Sequence, residues 1–176
     1  SVSEDVMYGA VFSELVIKGE KIGLTIGGDY IPGEAELGAK ARTDVTSDAN
    51  ETNQDDSTYT AKAEVSDHWQ VYVEPTYYIT DNIGVYVKAA YTEVTVNTLE
   101  SIASGTDSST YANVDVNGET YGIGIRARSD TGVLFKLEYF ETDYDSITLE
   151  SSTGNKNKIT ADVEQKAVNF KIGYQF

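Results

Sequence analysis

Cysteine is absent from the 176 residues. No disulfide framework, iron–sulfur cluster or thiolate zinc site can therefore be built. Histidine and tryptophan occur once each, as His68 and Trp69. Bases are scarce, 13 against 29 acids, for a net charge of −16. Phosphate would be repelled, so nucleic acid is excluded as a partner, and so is a basic membrane-surface helix. The acid surplus fits a solvated exterior able to attract divalent cations. No apolar run approaches the ~20 residues of a membrane helix. A membrane β-strand needs only ~9–11 residues, apolar on one face, so that lack does not exclude a barrel. The sequence starts at Ser1 without Met or a signal peptide, as expected of an exported protein after processing.

What is present is period-2 alternation. The hydrophobic fraction of 40% is too high for a disordered chain. The length suits one domain, residues 1–176. Seven long strands are predicted: 6–18, 22–42, 58–79, 83–97, 115–128, 133–149 and 159–176. Short turns at Gly19-Glu20, Thr80-Asp81-Asn82 and Ser129-Asp130-Thr131-Gly132 alternate with longer polar connections. That alternation fits an up-and-down outer-membrane barrel, with short periplasmic turns and long outer loops. Beside the short turns the alternation is clean. Val168, Phe170, Ile172, Tyr174 and Phe176 share one face of the last strand, and Asn169, Lys171 and Gly173 the other. Beyond that band the strands read as polar on both faces, as hairpins standing outside the membrane and carrying most of the acids.

Each apolar band begins at a short turn and lasts about ten residues, the span of one membrane crossing. Its far end is marked by an aromatic: Tyr8, Tyr30, Trp69, Tyr91, Tyr121 or Tyr139. These predict one aromatic girdle; Tyr77, Tyr174 and Phe176 predict the other. The strand count does not close. Single-chain outer-membrane barrels have even strand numbers, and the first strand here runs down into a short turn. The expectation is an all-β, antiparallel, eight-stranded transmembrane barrel whose first strand is missing from this chain. Either it was removed upstream or another polypeptide segment supplies it by β-augmentation.

The closing residues Ala167-Val168-Asn169-Phe170-Lys171-Ile172-Gly173-Tyr174-Gln175-Phe176 resemble the C-terminal β-signal of outer-membrane proteins. Phe170, Ile172, Tyr174 and Phe176 occupy its alternate positions. The rest is similar in pattern to the small OmpA, OmpX and Opa-like barrels of Gram-negative bacteria. Stretches such as Gly27-Gly28-Asp29-Tyr30-Ile31-Pro32-Gly33 resemble marine bacterial members. The resemblance implies an outer-membrane location, the lipid bilayer as surroundings and the barrel-assembly machinery as partner.

Candidate chemistry falls in three places. Glu14, Glu74, Lys88, Arg126, Lys136, Glu138 and Lys171 lie on the interior face by alternation. They could line an ion or solute path, or they could pair with one another as a plug. Side chains fill an eight-stranded barrel, which favours the plug. His68 stands beside Ser66 and Asp67, the residue types of a lipid hydrolase. Consecutive residues point to different faces and no second histidine exists, so a surface or loop histidine is expected. Asp44, Asp48, Glu51, Asp55 and Asp56 crowd one loop; calcium is the cation they would suit, while a solvated acidic loop is the simpler reading. The function expected is non-enzymatic: a structural or surface-interaction barrel for adhesion, assembly with further copies, or phage recognition. A small porin-like channel and an outer-membrane lipid enzyme are the alternatives.

Overall fold

The computed structural model describes residues 6–44, 57–102, 112–150 and 158–176. The protein is all-β. Seven strands form one antiparallel sheet that curls into an open half-barrel: β1 (Val11–Lys18), β2 (Ile22–Asp44), β3 (Ser57–Tyr78), β4 (Ile83–Ile102), β5 (Val114–Arg128), β6 (Val133–Tyr144) and β9 (Glu164–Tyr174). Neighbours in space are neighbours in the chain, a meander. The exception is the step from β6 to β9, which is interrupted by a separate hairpin, β7 (Ile147–Glu150) with β8 (Lys158–Ala161).

The three short turns lie at one end of the sheet. Gly19 donates its N–H to the Ile22 carbonyl, and Ser129 and Gly132 close the β5–β6 turn. The φ of +92° at Gly132 explains why glycine stands there. Pro75 sits inside β3. The β3–β4 ladder keeps register across it but lacks pairs between Val73↔Ala89 and Thr76↔Tyr86, because proline has no N–H to give.

Four expectations from the sequence are corrected. The first strand begins at Val11, not Val6. Val11 pairs with Tyr30, and just beyond Tyr30 the β2–β3 pair shifts register between Ile31 and Glu34. A longer β1 would have no regular neighbour there. The shift falls at Pro32-Gly33 on β2 and at Asp67 on β3, with φ of +108° at Gly33 and +51° at Asp67. The fourth strand continues to Ile102, because the extension of β3 offers partners as far as Tyr59. The expected sixth and last strands are each broken in two. Asp145-Ser146 and Asp162-Val163 lie outside the ladders, and Ser146 Oγ donates to Asp162 Oδ1 at 2.5 Å across the break.

Those breaks fold the β7–β8 hairpin over the long-connection end. Ile147 and Leu149 then bury against Val94, Val96 and Val116, with Val65, Val114, Tyr144 and Val163 around them. The reading of polar residues on both faces beyond the aromatics is thus wrong for the concave face. Burying apolar side chains such as Ile147 and Leu149 is worth about 1.5–3 kcal/mol each, enough to divert the chain from a straight ladder.

Candidate functional site

The concave face is charged and buried; the convex face is apolar and exposed. Four acids and four bases, Glu14, Asp29, Glu74, Glu138, Lys88, Arg126, Lys136 and Lys171, have side chains between 0% and 7% exposed. Their neighbours on the opposite face include Val168 at 70% and Phe170 at 68%. Strand alternation alone makes this separation, because successive side chains point to opposite faces.

The eight charges sort into two groups, each of two acids and two bases. Near the long-connection end Lys171 Nζ lies 2.8 Å from Asp29 Oδ2 and 3.0 Å from Glu138 Oε1. Lys88 completes that group at 3.4 Å from Glu138 and 3.9 Å from Asp29. In the second group Lys136 Nζ donates to both oxygens of Glu74, at 2.8 and 2.7 Å, and also to Glu14. Arg126 lies 3.8 Å from Glu14 and donates to Thr25 Oγ1 at 2.5 Å. Two tyrosines tie the groups together. The Tyr72 hydroxyl donates to Glu14 while Lys88 and Lys171 lie over its ring. The Tyr86 hydroxyl donates to Glu138 while Lys136 lies over its ring. A buried charge is tolerated when paired and hydrogen-bonded, and each group is neutral as a whole.

Glycine makes room for the tyrosines. Gly27 pairs with Tyr72 across β2–β3, and Gly124 with Tyr86 across β4–β5. A Cβ at Gly27 would lie 2.6 Å from the Tyr72 ring, and one at Gly124 would overlap the Tyr86 ring. Aromatic rings covering glycines on the neighbouring strand pin register in a curved sheet.

Above the charges lies an uncharged polar layer. Gln70 Nε2 donates to Thr92 and Thr120, and the hydroxyls of Thr92, Thr120 and Thr142 form a chain at 2.8 and 2.7 Å. Above that sits the apolar cluster closed by β7 and β8. At the short-turn end a cavity of about 20 Å³ is lined by Lys18, Tyr78, Asp81, Asn82, Arg126, Arg128 and Gln175. It has room for about one water.

The structure brings together all seven interior residues named from the sequence and adds Asp29, which shares the parity of Thr25 on β2. The Gln70–threonine layer gave no charge signal and was missed. Five of the six outer aromatics stand on the convex face. Each sends its polar atom to an acceptor: Tyr30 to Asp67, Trp69 Nε1 to Glu93, Tyr91 to Asn117, Tyr121 to Glu119 and Tyr139 to Glu141. The Tyr139 hydroxyl and the Lys166 ammonium hold the Glu141 carboxyl below its ordinary value, and Glu141 raises Lys166. Tyr8 is the exception. It precedes β1, and its hydroxyl donates to Asn169 Oδ1 on the concave side of β9 at 2.7 Å.

His68 is not in a loop: it lies half-buried in β3, opposite Ile31, and among the described residues its two buried ring nitrogens have no hydrogen-bond partner. Ser66 Oγ accepts from Asn97 and lies 3.4 Å from Asp67 Oδ2. Among the described residues no serine bonds His68 to become an activated nucleophile. Asp48, Glu51, Asp55 and Asp56 lie outside the described residues, as does the side chain of Asp44. Among the described residues no cluster of three or more histidines and acids could hold a metal ion. At the end of the chain, Phe170, Ile172, Tyr174 and Phe176 are all exposed on the convex side, with Tyr174 and Phe176 edge to face at 5.2 Å.

No protein-family model, curated protein or solved structure matches this chain.

Proposed function

We propose that this protein is a transmembrane β-barrel of the bacterial outer membrane, similar in kind to the small OmpA, OmpX and Opa-like barrels. Its interior is a structural plug, and its long hairpins form a cell-surface interaction platform for adhesion, assembly or phage recognition. One observation carries the reading: polarity is inverted, with a buried charged interior and a continuous apolar exterior. Water-soluble monomers rarely expose apolar patches of this extent. The nine residues from Ile83 to Tyr91 carry the apolar band on β4, in keeping with the ~9–11 residues of one crossing. The outer aromatics send their polar atoms to acceptors, as residues at a membrane–water boundary do.

The plug reading separates this protein from a channel. Each of the eight buried charges already has an opposite charge beside it, the threonine layer lies above, and the β7–β8 hairpin covers the outer end. Planar-bilayer recording tests it: silent bilayers are expected, and stable ohmic steps would sink the plug. Membrane placement is tested through Trp69, the single tryptophan. In vesicles its fluorescence should be quenched by lipids brominated near the headgroup more than by lipids brominated near the chain end. A protein that stays folded and monomeric in buffer without detergent would refute the placement.

A further inference from the structure

Among the described residues the half-barrel ends on two unpaired edges, β1 and β9. Seven strands alternate in direction, so β1 and β9 run the same way. One strand of opposite direction would lie antiparallel to both. A second copy could cover either edge but not both with a single strand.

The interior beside the gap is already furnished. Phe12 of β1 reaches the β9 backbone, where a Cβ on Gly173 would lie 2.8 Å from the tip of its ring. Lys171 of β9 lies over the same ring. The eight buried charges balance without a contribution from the gap. Among the described residues one interior polar atom on its border lacks a hydrogen bond: Glu14 Oε2, on β1, whose side chain is 4% exposed.

We propose that the gap takes one β-strand supplied from outside residues 1–176, antiparallel to β1 and β9. Its interior face is small and uncharged, with a hydroxyl or amide donor for Glu14, and its exterior face is large and apolar. This inference rests on the barrel reading above. A charged interior residue would unbalance a neutral network, and a bulky one would meet Phe12. An apolar exterior continues the belt of Leu15 and Ile17 on one side and Phe170 and Ile172 on the other.

The test uses the chain folded in zwitterionic detergent micelles with synthetic strands of about ten residues, the length of one crossing. The first peptide alternates leucine or valine with serine or threonine. The second carries lysine at two central interior positions. The third has the first peptide's composition in scrambled order. Hydrogen exchange at β1 and β9, peptide binding by fluorescence anisotropy and sedimentation are read together. The first peptide should bind and slow exchange at both edges at least about tenfold. The lysine and scrambled peptides should bind at least about tenfold more weakly. Equal binding of the lysine peptide overturns the inference, as does no binding by any of the three. A dimer whose edges are protected without peptide assigns them to a second copy and also overturns it. Failure of the barrel reading looks different: the chain would not insert into micelles or vesicles at all.

Discussion

Replacing Lys136 with methionine should be among the most damaging single changes on the concave face. The side chain is fully buried and bonds both oxygens of Glu74 and one of Glu14. Glu14 keeps Arg126 at 3.8 Å and the Tyr72 hydroxyl. Glu74 keeps no cation within ion-pair distance among the described residues. Methionine keeps a stem of similar length up to Cε and removes the ammonium with its hydrogen bonds to Glu74 and Glu14. Breaking a buried pair from one side costs about 3–5 kcal/mol, a shift of roughly 150- to 4,000-fold in the folding equilibrium. Adding Glu74→Gln removes the orphaned charge and leaves Glu14 with Arg126. The double variant should recover at least about 2 kcal/mol of the loss, since neutral replacement of a whole buried pair is often tolerated. The assay is urea unfolding in lipid vesicles followed by Trp69 emission and by migration of unboiled samples on gels. A loss below about 1 kcal/mol for Lys136→Met would refute the account, because a true buried pair cannot be so cheap to break. So would a double variant no more stable than the two singles added together.

Three further outcomes follow from the same geometry. Gly124→Val places a branched side chain where the Tyr86 ring lies; overpacking should destabilise by about 1–3 kcal/mol in the same urea assay, and wild-type stability would remove the ring-over-glycine account. Leu149→Ala should loosen the β7–β8 hairpin without unfolding the main sheet. Local opening should rise about 30-fold for a loss of about 2 kcal/mol, read as faster protease cleavage within 145–163 at an unchanged global midpoint. Tyr139→Phe removes the hydrogen bond that holds Glu141 low. The Glu141 carboxyl should then titrate higher by NMR, and an unchanged titration would mean that Lys166 alone sets it.

Much of this fold is legible in the sequence because a strand has a period of two and a polarity of two faces. Val168 to Phe176 and Ile83 to Tyr91 declare which side is apolar, and the short turns place the ends. The same parity put Glu14, Glu74, Lys88, Arg126, Lys136, Glu138 and Lys171 on one face. It applies equally to Asp29, which alternates with the apolar set of the second strand as Thr25 does; its register opposite Gln70 and the curl of the sheet bring it to Lys171. Tyr8 fitted the aromatic distance from its turn but not the parity: it lies an even number of residues from Glu14, so alternation turns it to the concave side, where its hydroxyl meets Asn169.

The sequence by itself determined the short turns, the alternation beside them and which face is charged, because those follow from neighbours along the chain. Only the tertiary structure decided who pairs with whom. Curling the sheet joins residues as far apart as Glu14 and Lys136 into neutral groups of four, a partition set by distance in space and not by order in the chain. It also folded Ile147 and Leu149 into an apolar cap, because a concave mouth offers Val94, Val96 and Val116 as cover. And it left β1 and β9 as separate edges running in the same direction, the outcome of an odd number of strands in an antiparallel sheet.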